Sequence, residues 1–305
     1  MKNFILLIFC FFLLINNSNS IENKILFKVN NEIITSLDIF NEIKYLKTIN
    51  EQFRNTEKKQ AFEIAKRSLI REKIKQIEIK KSVKEIIIED QFLNDLIINY
   101  FKEFQIETIS DFENYFISIN IDPDLIKKKL STEILWNQLI FSKYNQSVKI
   151  NKQNIISELK KNNKQKEFLL YEILFNLDEN QKLNEKFSLI SNKIDTTNFS
   201  ETALTFSSSN TASKGGRLGW IKESSLSKKI KNILNKIEIG KYSDPIVVPS
   251  GFLILKIQEI REVDNNYDLN EETERIIKDK TNEQLNQYSN IYFNKIRKDI
   301  AINEL

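Results

Sequence analysis

The chain has no histidine among its 305 residues. That removes whole classes of chemistry. A Ser-His-Asp triad, a Cys-His pair and any histidine-held zinc or haem are excluded. Cysteine is nearly as scarce: Cys10 is the single one, so no disulfide can form within the chain. Stability must come from packing. Only five glycines and three prolines are present. No G-x-G-x-x-G and no P-loop appears, and five glycines leave little material for a phosphate cradle. No D-x-D-x-D-G loop appears for a hard metal ion. No metal site and no cofactor is expected. Charge of one sign is also lacking: 46 basic residues face 42 acidic ones. That balance, without a basic run interleaved with aromatics, gives no argument for nucleic acid.

The N-terminus reads as an export leader. Lys2 gives a positive start, Phe4 to Ile15 is an unbroken apolar run, and Ser18-Asn19-Ser20 offers small residues for cleavage after Ser20. The apolar run is well short of the ~20 residues that span a bilayer. Residues 1–20 are therefore expected to be a signal peptide, leaving no stable membrane anchor. A lipoprotein is disfavoured because Cys10 lies inside the apolar run, behind bulky Phe9.

The glycines set the domain map. Gly215, Gly216, Gly219, Gly240 and Gly251 fall in one window, with Pro245 and Pro249. Everything before is glycine-free and rich in Ile, Lys, Asn and Glu, which favours long helices. The expected fold class is α+β: an all-α N-terminal domain over 21–165, an inserted α/β module over 166–262, and a helix in 263–305 returning to the first domain. Ile25–Val29, Asn30-Asn31 and Glu32–Ile34 read as a short β-hairpin. Thr35 and Asp38 have capping-box spacing. Helices are expected over 39–49, 59–83, 89–104, 110–120, from Pro123 behind an Asp122 cap, and over 152–161. A polar linker, 162–166, precedes the module. In the tail, Leu285, Tyr288, Ile291, Tyr292 and Ile296 form an apolar stripe that cannot be buried alone.

The middle segment resembles a parvulin (PpiC-type) domain. Phe168 to Phe175 fits its first strand and Phe199 to Phe206 a helix ending in a serine-rich loop. Lys214-Gly-Gly-Arg-Leu-Gly-Trp220 is close to the family's N-G-G-x-L-G-W signature. Ser243-Asp-Pro-Ile246 and Ser250-Gly-Phe-Leu-Ile-Leu-Lys256 match its closing strands. The segment Lys28-Val-Asn-Asn-Glu-Ile-Ile-Thr-Ser-Leu-Asp38, and the order leader, helical domain, parvulin, helix, resemble the SurA family of periplasmic chaperones. The namesake of that family carries two parvulin domains; this chain has one.

The resemblance implies a peptidyl-prolyl isomerase pocket whose polar side is lined by two histidines and a Cys or Asp. Those positions fall on Glu172, Leu253 and Ser209. The apolar cup that takes the proline ring falls on Leu218, Leu226 and Ile230, with Ser250 nearby. The cup stays apolar but the polar network is replaced, so isomerase activity is expected to be weak or lost while peptide binding persists. Each of these three positions also has a plainer role open to it: Glu172 as a solvated strand residue, Leu253 as core, Ser209 as a loop cap. The implied function is a periplasmic chaperone whose partners are unfolded or nascent outer-membrane proteins and Xaa-Pro segments. Two alternatives stay open: an active parvulin that works by desolvation, and a structural subunit of an envelope complex. Phe92, Tyr100, Phe101, Phe104, Tyr115, Phe116 and Trp136 are candidate linings of a client cradle, or simply core.

Overall fold

The computed structural model describes residues 23–83, 88, 90–160, 164–178, 180–264 and 268–305. The expected leader, and Asn162-Asn163 of the expected linker, lie outside them. Among the described residues no helix is long and apolar enough to cross a membrane.

Two bodies of structure share the chain. The first opens with the expected hairpin, β1 (Ile25–Val29) and β2 (Glu32–Thr35). Phe27, Val29 and Ile34 point one way and are buried, while Lys28 and Ile33 stay exposed. That is the period-two alternation of a sheet covered on one face. A third strand, β7 (Ile302–Glu304), pairs with β1 and was not foreseen. The helical domain therefore carries a three-stranded sheet beside its helices, in the order β2-β1-β7.

Six helices follow: α1 (Ser36–Ile49), α2 (Lys58–Ile79), α3 (Asp90–Tyr100), α4 (Ile109–Ser118), α5 (Pro123–Tyr144) and α6 (Lys152–Leu159). Their starts follow the side chains. Thr35 caps α1: its hydroxyl accepts from Asp38 N at 3.2 Å, and Asp38 accepts from Thr35 N at 2.8 Å. Asp122 caps α5, with Pro123 in the first turn, where its missing N–H costs nothing. Their shared core holds Trp136, Phe101, Phe112 and Phe116, all fully buried.

The long C-terminal helix α10 (Leu269–Arg297) comes back to this core. Phe293 and Ile296 are buried in it, and Leu285, Tyr288 and Tyr292 pack against it. Tyr144 and Tyr288 stack with ring centroids 4.8 Å apart, and Trp136 Nε1 donates to Ser289 Oγ at 2.8 Å. Ile291, counted in the stripe from its spacing, is instead exposed, and Phe293 takes its place. A polar layer crosses the same interior. Lys75 of α2 is buried with its Nζ 2.6 and 2.7 Å from the two oxygens of Glu133 on α5. Lys129 joins Glu42 and Glu72.

The second body is a four-stranded antiparallel sheet in the order β4-β3-β6-β5. Its strands are β3 (Lys164–Phe175), β4 (Arg217–Lys222), β5 (Ile246–Val248) and β6 (Gly251–Asp264). Helices α7 (Leu183–Thr196) and α8 (Phe199–Phe206) cover one face, over Ile173, Phe175 and Ile254. Helix α9 (Lys228–Leu234) covers the other, over Phe168, Leu170, Leu255 and Ile257.

Among the described residues the two bodies touch at several places. Leu204 of α8 is buried in the helical core, and Gln60 of α2 donates to Thr205 Oγ1 at 3.1 Å. On the other side, α10 grips the turn before α9. Lys280 Nζ donates to Ser225 O at 3.0 Å, and Ser225 Oγ donates to Asp279 at 3.1 Å.

Candidate functional site

The face of the second sheet under α9 brings most of the expected residues together. Leu218, Leu226 and Leu253, all half-buried, and buried Ile230 belong to one apolar cluster with Leu170 and Leu255. Register explains the placement. Glu172 lies across from Leu255, and Leu253 across from Ile246 on the other side of β6. Residues paired across strands share a face about 5 Å apart, so Glu172 borders the cluster. Ser250 is elsewhere: it is buried in the turn between β5 and β6.

Glu172 is positioned by backbone as well as by strand. Its N–H donates to Gly216 O at 2.8 Å. Gly216 has φ +77°, and a Cβ there would lie 2.2 Å from Glu172 O and 3.0 Å from Ala203 Cβ. Only glycine lets the signature loop approach β3 this closely.

The polar side is a chain of hydroxyls. Thr211 Oγ1 donates to Glu172 Oε1 at 2.8 Å. Ser209 Oγ is 2.8 Å from Thr211 Oγ1, and Ser207 Oγ is 2.9 Å from Ser209 Oγ. Leu174 N donates to Ser207 Oγ at 3.0 Å. Each hydroxyl has one proton. With Glu172 ionised, Thr211 gives its proton to the carboxylate, Ser209 gives to Thr211 or to the carboxylate, and Ser207 gives to Ser209. Every O–H in the row is spent on its neighbour. The sequence pointed to Ser209 as the loop residue of the pocket; Thr211 stands beside it and donates to the carboxylate at 2.8 Å, and the Ser209 hydroxyl also supports the charge. Thr211 and Ser207 were not anticipated. Their signal is visible in hindsight as hydroxyls at every second position, Ser207, Ser209 and Thr211.

Burial pushes the Glu172 carboxyl above its ordinary range, while the Thr211 and Ser209 hydroxyls oppose the shift. The negative charge of Glu283 on α10 adds to the rise. Beside this face, between α9 and the helical domain, lies an open cavity of about 300 Å³ bordered by Ile150, Ile155, Ser227, Lys280 and Glu283. Among the described residues no group of acidic or cysteine side chains could hold a metal ion.

Of the aromatics expected to line a client cradle or fill a core, Phe101, Phe116 and Trp136 are core, and Phe104 and Tyr115 pack against it. Phe92 and Tyr100 are exposed at 48% and 36%. Tyr100 also receives Lys214 Nζ 4.1 Å from its ring centre.

Residues 172–259 match the rotamase family, PPIC-type PPIASE domain. The chain is 31% identical over 117 residues to the chaperone SurA of Pseudomonas putida, covering 36% of this chain and 27% of that protein. It is 26% identical over 165 residues to the chaperone SurA of Nitrosococcus oceani, covering 50% of this chain and 39% of that one. The matches thus span well under half the length of these relatives. A solved SurA-like chaperone of Campylobacter jejuni aligns over 93% of this chain and 99% of its own, at 18% identity and a TM-score of 0.37.

Proposed function

We propose that this SurA-like chain with a parvulin-type domain is an exported periplasmic chaperone. In this reading it holds unfolded outer-membrane proteins and grips Xaa-Pro segments in a cup that turns them over weakly or not at all. The observation that carries the reading is the composition of the pocket. Its apolar half is present as Leu218, Leu226 and Ile230, and its polar half is one carboxylate, three committed hydroxyls and Leu253.

Binding needs apolar area and shape, whereas turnover needs contacts that strengthen in the transition state. The barrier to be lowered is about 18–20 kcal/mol, and each tenfold gain in rate requires about 1.4 kcal/mol. Ionised Glu172 accepts hydrogen bonds and donates none, and Leu253 does neither. The hydroxyl row has no proton left for a twisting amide. Holding a client without a nucleotide cycle is consistent with a chain that has no phosphate-binding loop. Exposed Phe92 and Tyr100 offer apolar contacts on the helical body of the kind an unfolded barrel protein would meet.

The test uses the chain without residues 1–20. It is expected to delay aggregation of an unfolded outer-membrane barrel protein and to crosslink to it, while a short Ala-Pro peptide isomerises no faster in its presence. Leu226→Asp places a charge at the cup and is expected to weaken proline-peptide binding at least tenfold, measured by fluorescence anisotropy. Catalysed isomerisation that disappears in Glu172→Gln and Ser209→Ala would overturn the claim of weak or lost activity. Indifference to unfolded chains, with strict co-purification of one envelope protein, would overturn the chaperone reading.

A further inference from the structure

Glu172 is poorly compensated for its surroundings. It stands on an apolar sheet face, across from Leu255 and beside the Leu218, Leu226, Ile230 and Leu253 cluster. Among the described residues it makes no ion pair, and the charge that reaches it is another carboxylate, Glu283. The basic side chains nearest along the chain and sheet are committed elsewhere. Lys256 pairs across from Tyr171, which puts it on the opposite face. Arg217 also pairs with Tyr171 and lies 3.9 Å from Glu103. Lys280 donates to the carbonyls of Ser225 and Leu226. A half-buried carboxylate that meets only hydroxyls and a like charge has unused capacity for a cation.

We infer that Glu172 sets the specificity of the prolyl pocket, selecting segments in which a lysine or arginine lies next to the proline. This rests on the reading that the cup of Leu218, Leu226 and Ile230 holds the proline ring. Register places the two side by side: Glu172 pairs across from Leu255, which belongs to the same apolar cluster as Leu218, Leu226 and Ile230. Consecutive Cα atoms are 3.8 Å apart, so the residue adjoining a seated proline passes along the face on which Glu172 stands. A lysine or arginine there exchanges one solvated charge pair for a charge-assisted bond at the edge of an apolar surface. An acidic neighbour would face both Glu172 and Glu283. Net attraction does not produce the preference: without residues 1–20 the chain loses Lys2 from its 46 basic residues and keeps all 42 acidic ones, so it carries a formal charge of +3 and repels cations at long range.

The experiment is fluorescence anisotropy on the chain without residues 1–20, with labelled peptides that differ only beside a central proline: alanine, lysine, arginine or glutamate. Controls carry glycine in place of proline. Lysine and arginine peptides are expected to bind about tenfold tighter than the alanine peptide, the scale of one charge-assisted hydrogen bond, with glutamate weakest. In Glu172→Gln, which is isosteric and still accepts from Thr211, the lysine-to-alanine ratio is expected to fall to about one. Equal affinity of the wild-type chain for the alanine and lysine peptides, both above the glycine controls, overturns the selectivity and leaves the prolyl cup standing. A lysine preference that persists in Glu172→Gln overturns the assignment to this residue. No difference between proline peptides and glycine controls overturns the prolyl cup itself, and the inference with it.

Discussion

Glu133→Gln is expected to destabilise the chain by about 3 kcal/mol, measured by urea unfolding at neutral pH. Lys75 is 1% exposed, and its Nζ has both Glu133 oxygens within 2.7 Å. Losing the carboxylate leaves an ammonium in the core, and breaking a buried pair in this way costs roughly 3–5 kcal/mol. The lower end applies here because the Glu133 side chain is 42% exposed. The complementary change is expected to be milder. Lys75→Met fills the same space without a charge and leaves a Glu133 carboxylate that is 42% exposed and still near Arg71 and Lys129, so its cost is expected to be well below that of Glu133→Gln. A large loss in Lys75→Met would show that the pair itself contributes net stability.

The same lysine gives a pH signature. Burial, with Arg71 adding to it, pushes Lys75 down to about 8 despite the opposing charge of Glu133. The unfolded chain binds this proton up to about pH 10.5, so between about pH 8 and 10 the unfolded state holds more protons than the folded one. Stability then rises with pH in that window. Above it buried Tyr45 and part-buried Tyr292, both pushed upward chiefly by desolvation, act in the other sense. Lys75→Met should flatten the rise, which a series of urea titrations would read directly.

Gly216→Ala is expected to be the most damaging single-methyl change in the second body. The added carbon would meet Glu172 O at 2.2 Å, where backbone on both sides is tied by the Glu172 N–H to Gly216 O bond. A positive φ adds about 1–2 kcal/mol for any L side chain. Together these put the cost above about 3 kcal/mol, enough to unfold or disconnect the module, read as loss of its thermal transition. Gly219→Ala is the control. Its φ is +85° but nothing lies within 4 Å of the added carbon, so only the backbone term of about 1–2 kcal/mol applies. Equal losses at both positions would refute the close-approach argument.

The fold was legible where a local rule decides it. Thr35 and Asp38, Asp122 and Pro123, and the Asn30-Asn31 turn each carry their own geometry, and each is found where the spacing puts it. Helix α7 was passed over although Leu183, Phe187, Ile190 and Ile194 recur at helical spacing, because Lys182 supplies no capping oxygen to mark its start. Strand β7 was illegible for another reason. Three residues have no periodicity to read, and their partner on β1 lies more than 270 residues away in sequence. In the pocket, Leu218, Leu226 and Ile230 were picked by their place in the family's motif, and they share one apolar cluster although only Leu218 lies on a strand. The hydroxyl row was not legible, since which of Ser207, Ser209 and Thr211 reaches Glu172 depends on loop backbone angles.

The pairing of β1 with β7, and the burial of Phe293 and Ile296 among the first helices, bears on the order of assembly. The parvulin-type module uses one contiguous stretch and can form as soon as that stretch is available. The helical body cannot close its sheet or its core until its last strand has arrived. Contacts of such long sequence separation are slow to form. A chain threaded from its N-terminus would carry an open, sticky half-domain alongside a finished one, so that a protein proposed to guard unfolded chains would for a time itself be in need of guarding.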